Sequence, residues 1–291
     1  MSRTGWIILL ILWILLGLWL CNKYICGLGA AAIAPATKDK CETSWNIKDG
    51  SKFNVESPDH FQFRKSTYNR LGESSQLRTS MTKIANYLKG NTDRAVTVTG
   101  YYESDEKNRS ILPNLGLARA NNIKSYLNKL GVPSAQIDTK ASTAVECIKG
   151  DTIRHGIAMA FGKAGNNSDR IAQIKNRLYG KPVIVQFATN SDNINLNAQQ
   201  RQDFADLFYY LERVEGAKLD VGGHTDNVGN IVSNTTLSKG RAEFVKNYLV
   251  KNGNVPMNKM DVQGFGPTKP RASNNTTEGK AQNRRVEVIL K

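Results

Sequence analysis

The sequence is poor in the residues and patterns that carry chemistry in enzymes and metalloproteins. It holds three histidines and four cysteines in 291 residues. The histidines stand at no metal-ligand spacing from the cysteines, so a metal site is not expected. No serine lies in a G-x-S-x-G segment, which excludes the nucleophile turn of the α/β-hydrolases. We therefore expect no catalytic residues, no metal and no other cofactor.

The chain also lacks an arginine-rich run and a basic patch interleaved with aromatic residues, and this absence argues against nucleic acid as a partner. It is nevertheless strongly basic, with 40 Lys and Arg against 25 Asp and Glu and a formal charge of +15. A surplus of this size suits an anionic lipid surface or an anionic polymer such as a cell wall.

The N-terminal stretch from Gly5 to Cys21 contains no ionisable side chain. Seventeen helical residues span roughly 25 Å, which is near the short end for crossing a bilayer. We predict an uncleaved transmembrane helix within residues 1–26, with the short N-terminus in the cytoplasm, followed by a tether over residues 27–50. A cleaved signal peptide is the alternative.

The stretch from Leu219 to Arg241 organises the rest of the chain. Alternating apolar residues from Leu219 run into Gly222-Gly223, which predicts a strand that ends in a tight bend just before Asp226. A helix is predicted from Leu237, with an apolar stripe that includes Arg241. A guanidinium facing a core must be paired, and Asp226 is the nearest candidate.

These residues belong to a longer pattern, which consists of Gly223-His-Thr-Asp226, Gly229, Asn234, Leu237-Ser238, Arg241-Ala242, Gly264-Phe-Gly266, Pro270, Asn274 and Gly279-Lys-Ala-Gln-Asn-Arg-Arg-Val-Glu287. The pattern resembles the OmpA C-terminal-like peptidoglycan-binding family over residues 181–291. One departure is Lys280, where the family often has Arg.

The resemblance implies that Asp226 and Arg241 hold the diaminopimelate side chain of the peptidoglycan stem peptide. It also implies site roles for Thr225, Asn234, Leu237, Ser238 and Arg284. For Arg284, pairing with a carboxylate on the sheet surface is an equally good interpretation. A helix starting near Thr236 would favour an anion at its free N–H groups.

The fold class expected for residues 181–291 is an α/β (α+β) two-layer sandwich with a mixed sheet, in β-α-β-α-β-β order. The predicted strands are Val183–Ala188, Lys218–Gly222, Met260–Gly264 and Arg285–Leu290, and the predicted helices are Asn197–Val214 and Leu237–Asn252. Residues 163–180 are predicted to be a polar connector, and a short helix around Ile171 to Leu178 is compatible with its sequence.

Residues 51–162 read as a divergent, tandem copy of the same OmpA-like domain. Val96 to Glu103 aligns on Leu219 to Asp226, and Leu115 to Ala120 aligns on Leu237 to Ala242. An acid and a base are thus kept as Glu103 and Arg119, either as an internal pair in a structural spacer or as the site of a related ligand. A disulfide between Cys41 and Cys147 stays open, because sequence does not give their distance.

We therefore expect a non-enzymatic envelope protein of the bacterial inner membrane, single-pass, with most of the chain in the periplasm. It would tether the membrane to peptidoglycan. The alternative is an envelope scaffold, or a subunit of a secretion or motility complex, whose first domain at 51–162 docks a protein partner. Flagellar stator subunits join a similar span to this domain, but the Gly5 to Cys21 stretch lacks their proton-accepting Asp.

Overall fold

The computed structural model describes residues 13–17, 19–20, 41, 44–165, 167–186, 194–253 and 255–291. Most of the predicted membrane span and most of the predicted tether lie outside these residues. Residues 13–17 and 19–20 are helical with exposed side chains. Within the described ranges, no helix combines the length and apolarity that crossing a bilayer requires. Cys41 and Cys147 are each disulfide-bonded.

The body of the protein, Ser44–Lys291, is a mixed α/β structure. The described helices are α1 (Ser75–Gly90), α2 (Leu115–Lys129), α3 (Ser168–Leu178), α4 (Ala198–Arg213), α5 (Ile231–Gly253) and α6 (Thr277–Asn283). The described strands are β1 (Trp45–Asp49), β2 (Phe53–Ser57), β3 (Phe63–Arg64), β4 (Arg94–Tyr101), β5 (Ile137–Ser142), β6 (Ile148–Lys149), β7 (Thr152–Ile153), β8 (Ile157–Lys163), β9 (Pro182–Gln186), β10 (Leu219–Gly223), β11 (Met260–Gly264) and β12 (Arg285–Leu290).

The same strand-helix-strand unit occurs twice. In the first copy, β4 and β5 are parallel neighbours joined through α2, and β8 pairs antiparallel on the other side of β4. In the second copy, β10 and β11 are parallel neighbours joined through α5, and the sheet order is β11-β10-β12-β9. β4 in the first copy and β10 in the second are each flanked by one parallel and one antiparallel strand, so both sheets are mixed.

Each unit brings its helix unusually close to its strand. A Cβ placed on Gly100 of β4 would lie 2.0 Å from the Gly116 carbonyl oxygen of α2, and one on Gly223 of β10 would lie 1.9 Å from the Ser238 carbonyl oxygen of α5. Only glycine permits such a backbone approach. Gly100 and Gly223 occupy equivalent places in the two aligned segments, so the alignment is confirmed by packing as well as by sequence.

The helices cover one face of each sheet. In the second copy, α4 and α5 pack on the sheet, and the core contains Phe204, Leu207, Val221, Val245 and Val288 among others. Strand residues alternate between this core and the outer face, as the period of two dictates. The outer face carries polar side chains such as Asp220 and Glu287.

The connector agrees with the sequence prediction, because it contains α3, which ends at Leu178 as expected, begins three residues before Ile171 and buries Ile174 and Leu178. Two features differ. The predicted tether extends too far along the chain, because residues 45–49 form β1, where Trp45 and Ile47 are buried and their neighbours are not. The seven-residue helix α6, capped by Thr276, was not predicted at all, since it is too short to show a helical period.

Candidate functional site

The loop that follows β10 carries the predicted acid. The backbone N–H of His224 donates to the Arg285 carbonyl at 2.9 Å, and that of Thr225 donates to the Gly266 carbonyl at 3.0 Å. These bonds tie the start of the loop to the neighbouring chain segments. Asp226 therefore stands at the carboxyl end of the strand, where ligands bind in many open α/β sheets.

The Asp226 carboxylate is engaged on both oxygens. One oxygen accepts from the Val228 backbone N–H at 3.1 Å. The other accepts from Arg284 Nη1 at 2.8 Å, and the two side chains are 14% and 22% exposed. Arg284 thus pairs with a carboxylate, which was one of the two interpretations of this residue from the sequence. The carboxylate is that of Asp226, the predicted site acid.

Two hydrogen-bond donors beside this pair are left without a partner. The Thr225 hydroxyl and Arg284 Nε are both buried, and neither bonds to any atom of the described residues. Buried polar groups in proteins are normally satisfied. Thr225 and Arg284 thus place two unsatisfied buried donors beside the partly exposed carboxylate of Asp226.

The helix that carries Arg241 begins at Ile231, five residues before the predicted start near Thr236. Asn230 ends the loop, and its side-chain oxygen accepts from the backbone N–H groups of Val232 and Ser233 at 2.8 and 3.3 Å. The expectation of an anion at free N–H groups near Thr236 is therefore wrong. Those groups lie inside the helix, and Asn230 caps its true start.

Asn234 and Ser238 hold the site together rather than line it. Asn234, in the first turn of α5, donates to the Val228 carbonyl at 3.0 Å. The Ser238 hydroxyl donates to the Thr235 carbonyl at 2.8 Å and accepts from the Gly266 N–H at 2.9 Å. Because Gly266 also accepts from Thr225, one short network fixes the loop against α5.

Arg241 follows Ser238 by three residues, which is about one helical turn. The buried stripe of α5 runs through Asn234, Ser238, Ala242, Val245, Leu249 and Gly253. The prediction that Leu237 and Arg241 belong to the core-facing stripe is wrong in detail, because Leu237 is 49% exposed and Arg241 is only half-buried. Leu237, Arg241 and Phe244 instead follow one another along the accessible side of the helix.

His224 is neutral and structural. Its ring stacks on Phe265 at a centroid distance of 5.2 Å and is almost fully buried. Burial, assisted by the nearby Arg285 and Lys269, lowers its pKa to about 4.

The equivalent arginine of the first copy has a different partner from the one predicted. Arg119 pairs with both oxygens of Glu106, at 2.9 and 2.5 Å. Glu103 pairs with Lys65 and is 29% exposed. The predicted Glu103–Arg119 pair is therefore wrong, because Glu106 reaches the enclosed guanidinium whereas Glu103 turns towards solvent. Nothing in the sequence distinguishes these two neighbouring acids.

Comparison with known proteins agrees with the resemblance seen in the sequence. Outer membrane protein Omp38 of Acinetobacter baumannii is 40% identical over 106 residues, which are 36% of this chain and 29% of that protein. The probable lipoprotein YiaD of Escherichia coli is 34% identical over 134 residues, 41% of this chain and 60% of that protein. The peptidoglycan-binding protein ArfA of Mycobacterium tuberculosis is 41% identical over 80 residues, 28% of this chain and 24% of that protein.

The chain thus spans less than two thirds of each of these relatives. A family model described as OmpA family matches residues 60–156 and 186–284, one segment in each copy. Together the two segments cover more than half of the sequence. The chain therefore belongs to the OmpA family.

Proposed function

We propose that the second copy binds peptidoglycan non-covalently by gripping the diaminopimelate of the stem peptide, and that the protein is not an enzyme. The observation that carries this proposal is the Asp226 carboxylate on the strand end, with two vacant donors from Thr225 and Arg284 beside it. The similarity to a protein named for peptidoglycan binding supports the same ligand.

The side-chain end of diaminopimelate is a zwitterion, with an ammonium and a carboxylate on one carbon. Asp226 would accept from the ammonium, because each of its oxygens has used only one of its lone pairs. Arg241 would donate two parallel hydrogen bonds to the carboxylate. Thr225 and Arg284 would supply further donors, so that the site as a whole carries a positive excess suited to a carboxylate-rich peptide.

Leu237 has a supporting role in this proposal. It lies one turn before Arg241 on the same side of α5 and is half-exposed. An apolar side chain in that position can cover the methylene chain of the bound diamino acid. Few contacts hold each stem, so avidity along a polymer of repeated stems would provide retention.

We further propose that the N-terminal segment anchors the protein in the bacterial inner membrane and that both copies lie in the periplasm. The apolar run from Gly5 to Cys21 motivates the anchor. The tether that follows would give the second copy the reach to meet the wall. Mass spectrometry of the mature N-terminus distinguishes an anchor, which retains this run, from a cleaved signal peptide.

Sedimentation with purified sacculi tests the site. We expect the Asp226→Ala/Arg241→Ala chain to lose at least tenfold in retention, since removing one member of a bound charge pair costs several kcal/mol. The matched control is Lys218→Ala/Asp261→Ala, which removes an exposed ion pair of the same copy at equal change in net charge.

Retention of the control at the level of the unmodified chain, with loss in the site variant, supports the proposal. Equal retention of all three chains contradicts it. Circular dichroism of each variant verifies that the fold is kept, and free diaminopimelate should compete for binding whereas lysine, which lacks the second carboxylate, should compete less.

A second candidate function is a scaffold whose first copy docks a protein partner. It is favoured by one observation, the complete enclosure of Arg119 and Glu106, which leaves the first copy without an open acid-base site. Cross-linking in cells separates the two functions. A partner of the first copy should persist in the Asp226→Ala/Arg241→Ala chain, while a contact that depends on the wall should disappear.

A further inference from the structure

The arginine of the first copy already holds a carboxylate. Arg119 and Glu106 are 0% and 1% exposed in their side chains. The guanidinium contacts both carboxylate oxygens and also donates to the backbone carbonyls of Thr67, Tyr101 and Arg64 at 3.0, 2.7 and 3.2 Å. All three guanidinium nitrogens of Arg119 therefore donate hydrogen bonds within the protein.

The carboxylate is equally well surrounded. One Glu106 oxygen accepts from the Ser66 backbone N–H at 2.7 Å, and the other accepts from the Glu103 backbone N–H at 2.8 Å. With the two bonds from Arg119 it receives four, from one bidentate cation and two amides. Receptors for free carboxylates are built from the same components.

Arg119 and Arg241 occupy equivalent places in the two copies. Each follows a strand whose glycine abuts the helix, and each stands three residues after the helix position that meets that glycine, Gly116 or Ser238. The second copy presents its arginine half-buried on an accessible helix side, whereas the first copy covers its arginine with a carboxylate from its own loop.

We infer that the first copy is a carboxylate receptor permanently occupied by Glu106, and that truncating this side chain opens a site for a small free carboxylate. The atoms lost in Glu106→Ala, one methylene and the carboxyl group, correspond to acetate. In the unmodified chain Glu106 keeps this site closed to other carboxylates.

The charge state of Glu106 agrees with this role. Burial alone would raise its pKa, but the Arg119 fork and the two backbone amides outweigh burial and bring the pKa below the ordinary value. The carboxylate therefore remains ionised at neutral pH, as an anion bound in a receptor should.

Thermal unfolding of the full chain in chloride, formate or acetate at equal ionic strength tests the inference. We expect Glu106→Ala to lower the unfolding midpoint by about 10 °C in chloride, because Arg119 is left as an uncompensated buried charge. Acetate or formate should restore part of this loss with a saturable dependence. Glu103→Ala, which removes the neighbouring, partly exposed acid that pairs with Lys65, should respond to neither anion.

An equal response of both variants to acetate, or a Glu106→Ala chain as stable as the unmodified one, overturns the inference. If Glu106→Ala does not fold in chloride, refolding is repeated in formate. Recovery in formate alone supports the inference, and failure in both anions overturns it. No peptidoglycan enters this measurement, so its outcome is independent of the proposed function of the second copy.

Discussion

His224 links the stability of the second copy to pH. Its pKa is about 4 in the folded protein, against an ordinary value of 6.5, so the unfolded chain binds a proton that the folded chain refuses. The contribution of the neutral His224 ring to the free energy of unfolding is fully present above pH 6.5. It falls by roughly 1.4 kcal/mol for each pH unit between 6.5 and about 4. We expect a loss of about 2 kcal/mol by pH 5.

Urea unfolding of the unmodified chain and of His224→Gln at pH 7 and pH 5 measures this loss. The Gln variant should lose less stability on acidification, because it has no ring to titrate. Glu106, whose lowered pKa also costs stability in acid, is present in both chains and cancels in the difference. Parallel pH profiles would show that the imidazole is not the titrating group.

Sequence was a good guide to which residues of the second copy gather at the strand end and a poor one to which side chains pair with each other. The strand-end position of Asp226 and the site helix bearing Arg241 could be predicted from local pattern. The Arg284–Asp226 contact joins residues 58 positions apart, and no local signal announces it. Glu106 and Glu103 are both acids in one loop, and only the folded path of that loop decides which of them reaches Arg119.

Elements were predictable where their apolar residues recur at a clear period. The strands Met260–Gly264 and Arg285–Leu290 agree with the structure residue for residue. The start of α5 was not predicted, because residues 231–236 are exposed apart from Asn234 and carry no apolar period. Its signal was the Asn230 cap, which is a side-chain hydrogen bond rather than a periodic pattern.

The contact between β10 and α5 predicts opposite effects for two glycine substitutions. Gly223→Ala should destabilise the protein by more than about 3 kcal/mol, since its Cβ would lie 1.9 Å from a backbone oxygen that cannot move alone. Gly240→Ala should stabilise it by about 0.5–1 kcal/mol, because this helix position has open space around it and alanine favours the helix.

Denaturant unfolding midpoints of the two variants measure both effects. Gly240→Ala serves as the control, as it makes the same chemical change on α5, the helix that Gly223 abuts, without the backbone contact. Loss of sacculus retention should accompany Gly223→Ala alone, because only this change displaces the loop that bears Asp226. Similar stability of the two variants would contradict the close packing described above.

At the scale of the whole molecule, the two copies share a core. Ile111, Leu112 and Ala118 of the first copy belong to the same buried cluster as Phe208 and Leu211 of the second. Tyr68 donates to the Asn252 side chain at 2.6 Å across the same junction. Sequence predicted two domains and a connector, but it could not show their mutual packing, because surfaces that meet between copies have the same composition as ordinary partly apolar surfaces.

A buried ion pair lies at this junction. Lys124 of α2 pairs with Glu212 of α4 and is only 5% exposed in its side chain. Burial lowers the pKa of Lys124, while Glu212 favours its charged form. Glu212→Ala should destabilise the chain by about 3 kcal/mol because the ammonium is left in the interface without its carboxylate, whereas Glu212→Ala/Lys124→Met should recover most of that loss.

Calorimetry of the two variants measures the effect and reports how the copies unfold. Because the two copies share a core, loss of the ion pair at their junction should destabilise both. Glu212→Ala should therefore lower the midpoint of a single unfolding transition or split that transition into two. Arg177→Ala, which removes a partly exposed cation paired with Asp203 and Asp206 on the outer side of α4, is the control and should change stability by less than about 1 kcal/mol. Equal effects of Glu212→Ala and Arg177→Ala would mean that the junction is solvated and contributes little to stability, whereas the expected difference would mean that the two copies stabilise each other through their shared interface.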